Sequence, residues 1–257
     1  MNFIFNETAW AKSIIDSGSL TNVPFETLVT IAKYYIHIYQ NKHDAEIQLK
    51  NFMVRCNNAI TTPICQKMVD GALSIALNRK LIDIECVEIT DTEMDIINNL
   101  NGRQLKRLAF TVLCIAKYNN AVNSNNNNWI NVKDSQIMSM ANINTSIKRQ
   151  CAMYQYLEEQ GLLSFPKKIN TRAMRVNFVS DGNVAYKIND FRNLGYQYLM
   201  YIGEPYFRCC NCGIATKRNN PTKGGRQKYC KDCAFKIALQ QKVNYAMKRK
   251  IATAANA

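Results

Sequence analysis

Apolar residues return every three or four positions along most of the chain, and that interval predicts helices. Before residue 90 it marks helices over roughly 6–17, ended by Gly18; 24–40, opened by Pro24 and carrying Leu28, Ile31, Tyr35 and Ile38; 44–56; and 63–78, opened by Pro63. Leu81-Ile82-Asp83-Ile84-Glu85-Cys86-Val87-Glu88-Ile89 changes to alternation, the period of a strand. A longer helix is expected over 102–118, with Leu105, Leu108, Ala109, Val112 and Ile115 on one face and Arg103, Lys106, Arg107 and Lys117 off it. The pattern predicts a mainly α (α+β) protein. Its residues 1–90 form a helical domain suited to packing, homodimerisation or a protein partner.

Residues 91–200 show a more particular order. After the 102–118 helix come an Asn-rich loop, Asn119 to Asn128, a short strand Trp129-Ile130-Asn131-Val132, a helix from Asp134 to Ala141 and a break at Asn142-Ile143-Asn144. Thr145 or Asn144 is expected to cap the next helix, which runs to Glu159 on a stripe of Ile147, Cys151, Tyr154 and Leu157 before Gly161 stops it. A hairpin follows: Leu162-Leu163-Ser164-Phe165, a polar turn across Lys167 to Thr171, and Met174 to Val179 in alternation. Helix, strand, helix, helix, hairpin is the order of a winged helix-turn-helix. In that fold the second helix of the motif offers its N-terminal side chains to base edges in the major groove, while basic neighbours hold phosphates. The candidates on this helix are Lys148, Arg149 and Gln150, the last two having the geometry for guanine and adenine edges. Those on the wing are Lys167, Lys168, Arg172 and Arg175.

Charge sharpens the picture. The 257 residues carry a net charge of +14, and its distribution is uneven. Residues 1–119 hold 12 basic and 12 acidic side chains, residues 120–200 hold 9 and 5, and residues 201–257 hold 12 and 2. One sign concentrated in the last fifth of a chain points to a polyanionic partner, nucleic acid first and DNA before RNA. No apolar run reaches the roughly 18 residues of a membrane span. The first twenty residues carry Glu7 and Asp16 where an export signal would be basic and then apolar, so a cytoplasmic protein is expected.

The ten cysteines fall into two groups. Cys56, Cys65, Cys86, Cys114 and Cys151 are isolated among apolar residues and are expected in the core. Cys209, Cys212, Cys230 and Cys233 follow the pattern C-x2-C-x17-C-x2-C, in which each two-residue gap lets a turn aim both thiolates at one ion. Cys210 is left over. The five unpaired upstream thiols favour a reducing compartment, and so a metal rather than two disulfides. Four thiolates leave no position for water, which makes one structural Zn2+ the expected cofactor and hydrolysis at the ion unexpected. The second pair precedes a helical stretch from Ala234 to Lys250 with Phe235, Leu239, Val243 and Ala246 in step, so that Cys230 and Cys233 lie at a helix N-terminus, whose dipole favours thiolate.

Cys209-Cys210-Asn211-Cys212-Gly213 as a knuckle, a hairpin within 214–229 tipped by Lys223-Gly224-Gly225-Arg226, then Arg226-Gln227-Lys228-Tyr229-Cys230 and a basic helix together resemble a treble-clef zinc finger of the phage and mobile-element kind. The resemblance covers about fifty residues, 201–257 forming the third domain. It implies a non-enzymatic DNA-binding role in phage-type regulation or replication, within a bacterial host if phage-encoded. The cations of the tail, Lys217, Arg218, Lys223, Arg226, Lys228, Lys248, Arg249 and Lys250, are the candidate contacts. Treble clefs also include HNH nucleases, but the chain's two histidines, His37 and His43, lie far upstream.

No catalytic constellation is legible. Asp83-x-Glu85 and Asp91-x-Glu93-x-Asp95 share the polar face of an alternating pattern, and no phosphate-binding Gly-rich loop, G-x-S-x-G or Cys-His pairing occurs. Two classes of function remain: a DNA-binding protein, and an adaptor that docks on a bacterial protein or ribonucleoprotein machine, such as RNA polymerase or a defence complex.

Overall fold

The computed structural model describes residues 3–22, 24–56, 63–167, 173–219 and 227–255, with the backbone alone for residues 63–64 and 249–255. Over these residues the protein is mainly α (α+β), its helices joined by three small antiparallel sheets. Two units divide the chain, Met1–Cys86 and Val87–Ala257.

In the first unit, helix α1 (Glu7–Ser17) begins at Asn6, whose side chain accepts the Ala9 N–H at 2.7 Å. Helices α2 (Pro24–Tyr39), α3 (Lys42–Cys56) and α4 (Pro63–Leu77) follow. Leu28, Ile31 and Ala32 of α2 are fully buried with Leu49 and Phe52 of α3 and Leu73 of α4. The carboxylate of the buried Glu7 pairs with Lys33 and accepts the Ile82 N–H at 2.7 Å. A second tie is the bridge between Asn6 and Asp83. The strand expected over 81–89 is therefore shortened: 81–84 is a strap laid on α1, and regular strand begins only at Val87.

The second unit opens with strand β1 (Val87–Thr90) and helix α5 (Asp91–Asn98). Thr90 and Glu93 form a capping box, so Asp91, Glu93 and Asp95 lie on a helix instead of the expected extended polar face. Helix α6 (Arg103–Val122) is the centre of the unit. Every residue from Arg107 to Ala116 is buried, which corrects the one-sided face expected for it. Its surroundings explain why: α5, β1, helix α7 (Asp134–Met140), strands β2 (Trp129–Ile130) and β4 (Met174–Val176) and helix α9 (Leu194–Tyr201) all pack on it. Glu93 is 0% exposed and is fully satisfied, accepting from Lys117 Nζ at 2.8 Å on both oxygens and from the N–H groups of Thr90 and Ser180 at 2.8 and 2.9 Å.

Helix α8 (Ile147–Glu159) follows α7 after a turn, and strand β3 (Leu163–Ser164) pairs with β4. β4 lies between β2 and β3, with Trp129 opposite Arg175 and Leu163 opposite Val176. The elements thus run α6, β2, α7, α8, β3, β4, the order expected from the sequence. Ser146 caps α8, its Oγ accepting the Arg149 N–H; Thr145 and Asn144 do not. The buried side of α8 is Met153, Tyr154 and Leu157, while Ile147 and Cys151 are exposed, a correction of the expected stripe and of the core assignment of Cys151. Cys114 alone of the five isolated thiols is fully buried.

The turn after α7 is tied to the chain beyond it. Strand β5 (Val184–Ile188) pairs with β1 and leads to α9. Asn142 and Asn193, both left-handed, hydrogen-bond through Nδ2 and Oδ1 at 2.9 Å, and Asn193 Nδ2 also donates to the Ala215 carbonyl at 3.0 Å. Gly195 is required here by space: a Cβ on it would lie 2.0 Å from the Ala141 carbonyl oxygen. Strands β6 (Tyr206–Arg208) and β7 (Ala215–Lys217) then form a hairpin, and helix α10 (Lys231–Ala255) ends the described chain. This hairpin spans the first cysteine pair, with Arg208 opposite Ala215, and takes up Ala215–Lys217 of the stretch 214–229 in which a hairpin was expected. The expected tip at 223–226 is outside the described residues.

Candidate functional site

Strand pairing builds the first half of the candidate metal centre. Cys209 follows β6 directly and its N–H donates to the Ile214 carbonyl, while Gly213, at φ +73°, returns its N–H to the Cys209 carbonyl. This knuckle turns Cys209 and Cys212 to one side. The second half is the start of α10, where the Ala234 N–H donates to the Cys230 carbonyl and Cys233 lies in the first turn. The two halves are held together by the Cys210 N–H on the Lys228 carbonyl at 2.9 Å. The four Sγ atoms come within 4.8 Å of one another, and Cys212 and Cys230 are 3.8 Å apart. Four bonds of about 2.3 Å to a tetrahedral ion would set sulfurs about 3.8 Å apart, so the cluster fits one metal ion.

Hydrogen-bond donors are aimed at the sulfurs. The Cys230 N–H donates to Cys209 Sγ at 3.3 Å, the Cys233 N–H to Cys230 Sγ at 3.4 Å, and Asn211 Nδ2 to Cys233 Sγ at 3.3 Å. Burial raises the Cys209 thiol, yet the N–H groups of Cys230, Cys212 and Asn211 outweigh it and bring it down to about 6. At Cys212 the Ile214 N–H acts downward, but burial and the neighbouring thiols push the group up to about 12. That split is what four like charges in one small volume produce, and a cation relieves it. Arg192 braces the knuckle from outside, donating to the Cys212 carbonyl at 2.7 Å while its guanidinium is held by Asp190. Cys210 is exposed, outside the cluster.

The sequence-derived contact residues are dispersed over the second unit. Lys148 and Arg149 are exposed in the first turn of α8. Among the described residues neither has a carboxylate partner within salt-bridge distance. Gln150 is half-buried and its Nε2 donates to the Thr145 carbonyl at 3.0 Å. Arg149 lines a shallow groove of about 480 Å³ with Ala152, Met153, Tyr156 and the residues 101–105 that lead into α6. Lys167 and Arg175 are exposed; Lys168 and Arg172 lie outside the described residues. On the finger, Lys217 and Lys228 are exposed and Arg218 stacks over Phe207 at 5.3 Å. Lys248 is exposed on α10, whereas Lys223 and Arg226 and the side chains of Arg249 and Lys250 lie outside the described part of the molecule.

Two features escaped the sequence reading. Most large apolar residues of α10 do not pack: Phe235 is 69% exposed, and Leu239, Val243, Tyr245 and Met247 are exposed with it. In addition, α8 carries its charges against its own dipole. The positive end holds Lys148 and Arg149 and the negative end Glu158 and Glu159, the reverse of what the helix favours. The residues themselves were visible in the sequence, and the signal would have been the inverted order of charge along one helix.

No protein family, curated protein or solved structure matches this chain. Among the described residues no helix is long and apolar enough to cross a membrane.

Proposed function

We propose that the protein is a non-enzymatic, zinc-containing protein that binds double-stranded DNA, with the unit built on α6, α7, α8 and the β2-β4-β3 sheet acting as a winged helix-turn-helix and the cysteine finger as a second basic contact. The inverted charge of α8 carries the reading. Each charge misplaced on a helix dipole costs about 0.3–1 kcal/mol at an exposed site, and a fold that keeps two of them unpaired at a helix start is adapted to a negative ligand there. Phosphates supply that charge, and the exposed Lys167 and Arg175 extend the positive surface across the hairpin.

Zinc is the metal the donor set favours, since four thiolates in tetrahedral array select it among abundant ions with no redox demand. The ion then stabilises the finger and leaves no open coordination position for chemistry. Regulation or replication of the phage or mobile-element kind is the role suggested by the finger's motifs, with the cytoplasm as its setting.

One observation favours the adaptor as a second reading. The uncovered Phe235, Leu239, Val243 and Met247 follow one another at intervals of four, the spacing with which a helix seats in an apolar groove of a bacterial protein or ribonucleoprotein. Salt separates the two. DNA affinity should fall linearly in log salt with a slope near 0.9 per phosphate neutralised, and a fourfold replacement of Lys167, Lys168, Arg172 and Arg175 should weaken binding to all sequences and flatten that slope. Equal binding by the wild type and this variant would remove the hairpin from the interface. Failure of the wild type to shift any duplex at low ionic strength would end the DNA reading.

A further inference from the structure

Ile147 is 77% exposed, more than any other large apolar side chain among the described residues. Nothing in the fold accounts for it. The cap of α8 is made by the Ser146 hydroxyl, and the residue before that cap is the polar Thr145, so no apolar staple is formed. The buried side of the helix is complete without it in Met153, Tyr154 and Leu157. A β-branched residue also adds nothing to helix propensity.

Its neighbours define a surface. Lys148, Cys151, Ala152 and Gln155 are all exposed along α8, and the second turn is narrow because Cys151 and Ala152 are small. From Ile147 to Leu157 the helix has two cations and no carboxylate. A helix of about 10–12 Å diameter enters a major groove about 12 Å wide, and there the base edges present donors, acceptors and a single apolar feature, the C5-methyl of thymine. The thymine methyl is the base-identifying apolar group that a branched hydrocarbon at the leading end of such a helix meets there.

We infer that the leading turn of α8 reads a thymine methyl group through Ile147. This rests on the DNA-binding function proposed above. Burying one methyl group against an aliphatic side chain changes an association constant about fourfold.

The test uses the full-length, metal-loaded protein and duplexes selected from a random pool. Each thymine of the selected site is replaced by deoxyuracil, which removes only the C5-methyl. One position should lose about fourfold in affinity for the wild type, and the same replacement should be neutral for Ile147→Ala. The exposed position makes this variant safe for folding, to be checked by its melting temperature. A selected site in which every deoxyuracil is tolerated, or a methyl effect that survives in Ile147→Ala, would overturn the inference and leave DNA binding standing. Selection that returns no preferred sequence would overturn it in the same way. Should Ile147→Ala lose affinity equally for thymine and deoxyuracil duplexes, the side chain acts as a packing surface and not as a methyl reader. Binding of no duplex at all overturns the proposed function and this inference together.

Discussion

At the scale of single residues, Glu93 and Gly195 test how the second unit is held. Glu93 is enclosed with Lys117 and two backbone donors, and removal of one partner from a buried pair leaves the other charge stranded. Glu93→Ala should cost about 3–5 kcal/mol in urea unfolding, and Glu93→Gln less. Gly195 has no room for a methyl group against the Ala141 carbonyl. Gly195→Ala should therefore destabilise by about 1–3 kcal/mol through forced movement of the turn, seen as a lower melting temperature. Cys210 and Cys212 are separated by one residue and by role. Cys212→Ser should reduce bound metal to well below one equivalent by elemental analysis, while Cys210→Ser should keep it at one.

At the scale of elements, the proposed role of α8 sets function against stability. Replacing both Lys148 and Arg149 with Glu would place negative charge at the positive end of the dipole and should raise thermal stability by about 1–2 kcal/mol while abolishing DNA retention. A loss of both would mean that these cations serve the fold. The same helix shows where sequence legibility ends. Ile147, Cys151, Tyr154 and Leu157 are spaced as one stripe, and periodicity cannot distinguish a residue at the stripe's edge from one beneath it. Packing decides, and α8 is covered only along Met153, Tyr154 and Leu157. Helix α6 departs in the opposite sense, since its Arg107 and Thr111 look like an outer face yet are buried and bonded, Arg107 to the Asn142 carbonyl and Thr111 to that of Arg107. The helices of the first unit were legible because prolines and caps mark their ends; α9, with Leu194 to Tyr201 almost continuously apolar or aromatic, offered no face to read. The cysteine cluster was legible because metal chemistry fixes its spacing independently of tertiary packing.

For the whole molecule, the metal should set the order of unfolding. Binding of roughly 10–16 kcal/mol folds finger peptides that cannot fold alone. A chelator should therefore remove the first-turn anchor of α10, in which Ile237 is the only half-buried residue between Ala234 and Lys248, and lower the helical circular dichroism without melting Met1–Cys86. Loss of the whole signal in one step would show the two units to be one cooperative system. The hydrogen bonds from Asn142 through Asn193 to Ala215 run from the turn that aims α8 to the strand that carries the cysteine knuckle. A side chain that accepts from one segment and donates to the next couples them mechanically: Asn193→Ala, which removes both bonds, should loosen the two ends together in amide hydrogen exchange.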